Sequence, residues 1–227
     1  MFFFENPIGM LLAIISMVIA LGAQARVRSA YAKYSQIRVQ SGMSGADVAR
    51  QMMQGTDVAV IEHNGGQLSD HFNPQTNTIA LSPEVYNGSS IAALGIAAHE
   101  AGHALQYHQG YTPISVRNGI LPIARIGSMM AFPMIMLGLF FASMEFLIDI
   151  GIIFFIVTLL FQVLTLPVEF NASKRAVMVL ERNSYLTRDE MTGARAVLSA
   201  AAMTYVAAVV ASLLQLLRLL MIARRRR

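Results

Sequence analysis

The sequence predicts a mainly α-helical integral membrane protein of about four transmembrane helices, with a small α+β domain at the membrane surface. Three observations predict it. Of 227 residues, 55% are hydrophobic and only 13% are charged, against about 25% charged in an ordinary soluble domain. Four uncharged runs, residues 6–25, 126–144, 150–168 and 196–217, are 19 to 22 residues long, close to the roughly 20 that cross a bilayer core as a helix. Polar residues and turn signals concentrate between the first two runs. The chain has no Cys, which excludes disulfides, a Cys-ligated metal and a thiol nucleophile. Any metal must be held by His, Asp or Glu.

Five segments follow in order. Residues 1–25 form an N-terminal transmembrane helix. Met1 to Glu5 contains no Lys or Arg, so the basic start of a cleaved signal peptide is missing and the helix is retained. Residues 26–118 form the polar region. There Ser44 caps a helix from Gly45 to Gln54, with Asp47 in its first turn and Gly55 at its end. Val58 to Glu62 is β-prone, His63-Asn64-Gly65-Gly66 signals a hairpin turn, and Asn73-Pro74 with Asn77 marks another turn. Thr78 to Ser82 reads as a second short strand with an exposed edge suited to an extended peptide. Ser82-Pro83-Glu84 starts a helix, and Ser89 or Ser90 caps a longer one through Gln106. Residues 119–168 form a transmembrane hairpin, in which Pro133 is tolerated. Residues 169–195 are helical, and 196–227 form a last apolar helix with the basic tail Arg224 to Arg227.

The net charge is +4. If all four runs span, residues 26–125 and 169–195 share one side and carry 12 of the 17 Lys and Arg. This count favours the cytoplasmic side for residues 26–125, although the basic tail votes the other way. The tail is better read as meeting lipid headgroups than nucleic acid.

The long polar-region helix contains His99-Glu100-Ala101-Gly102-His103, a His-Glu-x-x-His. Residues four apart share a helix face, so His99 and His103 can reach one metal ion. Glu100 stands beside the metal, placed to accept a proton from water. Two structural histidines would leave Glu100 unexplained among alanines, where a charge is costly without a partner. A catalytic zinc needs a third protein ligand. The metzincin pattern is excluded, because Gln106 and Gln109 stand where Gly and His would be needed. His108 points to the opposite side of the helix. Glu169 ends the third apolar run, and the two antiparallel spans before it return the chain to the level of the histidines. An acid at that depth needs a partner, and a metal supplies one. Glu181 is the reserve candidate. Asp70, His71 and Ser173 could orient a ligand, with Asp70 and His71 slightly better read as turn residues. His63 reads as part of the surface hairpin.

The runs Ser69-Asp70-His71-Phe72-Asn73-Pro74, Ile79-Ala80-Leu81-Ser82, Ala97-Ala98-His99-Glu100-Ala101-Gly102-His103-Ala104-Leu105-Gln106 and Pro167-Val168-Glu169-Phe170-Asn171-Ala172-Ser173 resemble the YugP-like neutral zinc metallopeptidases of bacterial membranes. The resemblance covers nearly the whole chain. It implies a zinc-dependent peptidase of the bacterial cell membrane, with one zinc ion on His99 and His103 and with Glu100 as catalytic acid/base. A more distant likeness to membrane-embedded gluzincins implies Glu169 as third ligand. Their Glu-x-x-x-Asp element has Ser173 here in place of the Asp.

The expected function is hydrolysis of peptides or membrane-protein substrates by zinc-activated water. Two rivals stand beside it. In a site-2-type intramembrane protease, Asp149 would be the third ligand, but the uncharged stretch before His99 is too short to put the metal in mid-bilayer. The other is a non-enzymatic zinc-binding scaffold or transporter; a transporter would call for ionisable residues inside the spans, and these runs have almost none.

Overall fold

The computed structural model describes residues 7–66 and 69–226. Met1 to Asn6, where the first apolar run begins, lie outside the described residues, as do Arg227 and the side chains of Arg225 and Arg226 in the basic tail. The elements are α1 (Pro7–Tyr34), α2 (Gly45–Met52), β1 (Ala59–Glu62), β2 (His71–Asn73), β3 (Thr78–Leu81), α3 (Pro83–Tyr86), α4 (Ile91–His108), α5 (Thr112–Phe140), α6 (Phe146–Arg182) and α7 (Arg188–Arg226). The chain is a mainly α-helical membrane protein with a small α+β part. It divides into two compact units.

One unit comprises Ser115–Leu166 with the described parts of Met1–Gln24 and Thr204–Arg227. It draws on α1, α5, α6 and α7, the four helices among the described residues that are long and apolar enough to cross a membrane. Met129, Phe132, Phe140, Ile153 and Leu160 are exposed there. Such a surface suits a lipid bilayer rather than water. Small residues let α5 and α6 approach: a Cβ on Gly151 would stand 2.8 Å from the Ala131 carbonyl oxygen. Close backbone contact of this kind is how helices associate where lipid removes the hydrophobic driving force. Both α5 and α6 run on through internal prolines, Pro122 and Pro133 in the first and Pro167 in the second.

The other unit comprises Ala25–Ile114 and Pro167–Met203. Its local structure follows the chain's caps. Ser44 accepts from the Asp47 N–H while Asp47 accepts from the Ser44 N–H, a reciprocal pair that starts α2. The helix stops at Met52, before Gln54, and Gly55 takes a positive φ of 81°. Ser90, not Ser89, caps α4 by accepting from Ala93 N–H.

The sheet corrects two expectations. Its order is β1-β3-β2, with β1 and β3 parallel and β2 and β3 antiparallel. The segment His63-Asn64-Gly65-Gly66 therefore does not close a hairpin, because β1 finds its partner 19 residues on, Ala59 facing Thr78. The hairpin turn lies instead between Asn73 and Thr78, the last facing pair of β2 and β3. Gln75 N–H donates to the Asn73 side chain and Asn77 adopts a φ of 52°, both typical of Asn in turns. In addition, β3 is the central strand and mostly buried, so it offers no edge to a peptide. The edge strands are β1 and β2.

Two apolar clusters flank α4. One gathers Val48, Leu94, Ala98, Leu180 and Leu198, and the other gathers Ile79, Leu81, Val85, Ala97 and Ala101. With alanines on both sides, α4 sits close to its neighbours. At Gly102 the approach is closest: a Cβ there would lie 2.7 Å from the Ala172 carbonyl oxygen on α6. Gly102→Ala should therefore lower thermal stability, although alanine raises helix propensity by about 1 kcal/mol. Overpacking against backbone costs about 1–3 kcal/mol. An unfolding temperature at or above wild type would contradict this packing.

Candidate metal centre

The spacing of α4 sets His99 and His103 one turn apart on one face, their rings perpendicular with centroids 4.7 Å apart. Glu169 comes from α6 and is 97% buried, with 3% of its surface exposed. Its Oε2 lies 3.4 Å from His99 Nε2 and 3.6 Å from His103 Nε2. One ligand atom from each of the three residues lies within 4.8 Å of the others. These separations exceed the usual N–H···O distance, and Glu169 Oε2 is buried without a hydrogen-bond partner. A tetrahedral ion with bonds of about 2.0–2.1 Å sets its ligand atoms about 3.3 Å apart. The three residues thus fit such an ion better than they fit one another: an orphaned buried oxygen and two imidazole edges meet at ligand-to-ligand spacing.

Each imidazole is held from behind. His99 Nδ1 meets Ser173 Oγ at 3.1 Å, and His103 Nδ1 meets Gln106 Oε1 at 3.1 Å. Ser173 reaches His99 because it lies one turn beyond Glu169 on α6. Gln106, fully buried, donates through Nε2 to Val168 O at 2.8 Å and to Asn171 Oδ1 at 3.0 Å. Sequence reasoning used Gln106 only to exclude another pattern. Its place three residues after His103, on the same helix face, was the available signal.

Glu100 is partly buried, and its Oε2 accepts from the Phe72 N–H on β2 at 3.1 Å. Burial raises its carboxyl above the usual range; His99 and His103 offset part of that, and the carboxyls of Glu169 and Asp70 add to it. A carboxyl raised in this way is suited to taking and giving a proton.

The remaining sequence candidates are not among the three converging ligands. Asp70 accepts from Ser82 N–H at 2.7 Å and ties the chain entering β2 to the end of β3. His71 is exposed and bonds Ser69 O, and His63 stands edge-on to it. His71 is a residue of strand β2 facing Ala80, not a turn residue. Glu181, the reserve ligand, pairs with Arg195 at 2.8 Å on the surface. His108 faces Asp57 at 3.6 Å. Asp149 is not part of the converging group.

Residues 9–224 match the family described as "Putative neutral zinc metallopeptidase". The chain is 40% identical over 213 residues to the "Putative membrane protease YugP" of Bacillus subtilis (strain 168), covering 93% of this chain and 94% of that protein. No solved structure matches. The match runs from the first turn of α1 into the last turn of α7 and takes in α4 and α6 whole; the chain belongs to this family of neutral zinc metallopeptidases, which implies zinc as its metal.

Proposed function

We propose that the protein is a membrane-bound zinc endopeptidase of gluzincin type, in which His99, His103 and Glu169 hold one zinc ion per chain and Glu100 is the catalytic acid/base. The observation that carries this reading is the convergence of two imidazole Nε2 atoms on a buried carboxylate oxygen that has no other partner. Bound there, zinc would lower the pKa of a water and polarise a peptide carbonyl.

The chain's own residues supply the rest. Glu100 takes the proton of the attacking water and passes it to the leaving amine. The Phe72 N–H holds the Glu100 carboxyl in place meanwhile. Since Phe72 belongs to the outer strand β2, an extended peptide adding to that edge would run past Glu100. Peptides or membrane proteins are the substrates. The distribution of Lys and Arg favours the cytoplasmic side for the catalytic region.

The test is cleavage of casein by the full-length protein purified in detergent. Activity should disappear with a zinc chelator and return when about one equivalent of zinc per chain is restored. Cleavage indifferent to the chelator would refute the zinc mechanism. Zinc bound without hydrolysis of any peptide would favour a non-enzymatic scaffold.

A further inference from the structure

Gln106 is a fully buried polar residue that the proposed mechanism does not use. A buried amide is costly unless all its groups are paired, and here each partner has a defined direction. The starting point is Arg175, whose guanidinium can only donate. Its Nε donates to Asn171 Oδ1 at 2.7 Å, and another guanidinium nitrogen donates to Gln109 Oε1. The Asn171 oxygen is thereby fixed as an acceptor. Gln106 must then turn its NH2 toward Asn171 Oδ1, and the same NH2 reaches the backbone oxygen of Val168. With the nitrogen committed to two acceptors, the Gln106 oxygen faces His103 Nδ1. That oxygen can only accept, so Nδ1 carries a proton, and Nε2, facing Glu169, is the nitrogen left for a metal when the ring is neutral.

We infer that Gln106 is the positioning residue of the centre: anchored through Asn171 to Arg175, it fixes the His103 tautomer and ties α4 to α6 one residue before Glu169. The inference deepens the zinc reading and rests on it. Ser173 has no such one-way role on His99, since a hydroxyl can donate or accept. The two histidines are therefore unequally controlled, and His103 is the one set by a network.

Three variants of the full-length protein test this: Gln106→Leu, Asn171→Leu and Asn171→Asp. Zinc affinity is measured by chelator competition, and the His103 tautomer by nitrogen NMR of histidine-labelled, metal-free protein. Gln106→Leu should weaken zinc roughly 10–100-fold, the usual effect of losing a partner behind a metal-binding histidine. Asn171→Leu should weaken it by less, about threefold, and keep the Nδ1–H form, because the Val168 carbonyl still accepts from the Gln106 NH2. Asn171→Asp keeps an acceptor for both Arg175 and Gln106 and should stay within about threefold of wild type, with the Nδ1–H form retained. Should Gln106→Leu not fold, Gln106→Met takes its place, with the same expected loss of zinc affinity and of the Nδ1–H preference. A zinc affinity of the Gln106 variant within about twofold of wild type, with the tautomer unchanged, would overturn the inference. Wild-type protein that binds no zinc would sink the metal reading instead, and the tautomer measurement would still decide the role of Gln106.

Discussion

Glu100→Gln should bind zinc as tightly as the wild type while cleaving peptide about 10²–10⁴-fold more slowly, the usual contribution of general acid–base catalysis. The expectation rests on what glutamine keeps and what it loses. Its amide oxygen can still accept from the Phe72 N–H, so the side chain keeps the place that Glu100 holds at 3.1 Å from that donor. None of the three converging ligand atoms belongs to Glu100. What glutamine lacks is the capacity to take a proton from water. It also removes a carboxyl that burial disfavours when charged, so the variant should unfold at the same temperature or higher. Lost activity with intact zinc and intact stability would isolate the proton-transfer role. Zinc loss in this variant would instead make Glu100 part of the metal's support, and full activity would remove it from the mechanism.

The parts of this site carried by periodicity were legible in the sequence. His99 and His103 stand four apart on a helix, a spacing that dictates a shared face whatever surrounds it. Glu169 was approachable through length: two spans of similar length must return the chain to the side it left. The small sheet was less legible because strand partners are set by tertiary pairing. Asn64-Gly65 carries a strong local turn preference, yet β1 pairs in parallel with a strand beyond it. The three residues of β2 are too few to show an alternating pattern, and Pro74 follows directly. The donor on Glu100 was invisible for the same reason. It is a backbone N–H, which has no signature in side-chain types. Gln106 illustrates a further limit. A glutamine in an apolar helix says that partners exist, but not that one of them is Asn171, 65 positions away.

Glu169→Gln should abolish cleavage by removing the metal rather than the base, weakening zinc by more than about 100-fold, or roughly 2.8 kcal/mol. A lost ligand should exceed the 10–100-fold typical of the groups behind a ligand. The apo protein provides the control. Glu169 Oε2 lies 3.4 and 3.6 Å from the two imidazoles and has no hydrogen-bond partner. An isosteric amide gives up no hydrogen bond of that oxygen, but it removes the anionic partner of two imidazoles within ion-pair distance, so the two effects oppose. Zinc should raise the melting temperature of wild type and leave that of Glu169→Gln unchanged. Asp149→Ala completes the comparison. Asp149 lies outside the converging group, so this variant should keep zinc and activity. Zinc lost from Asp149→Ala and kept by Glu169→Gln would move the third ligand into the apolar unit and favour the intramembrane protease. A large fall in apo stability for Glu169→Gln would mean that the carboxylate serves the two histidines directly, as an ion pair with no need of a metal between them.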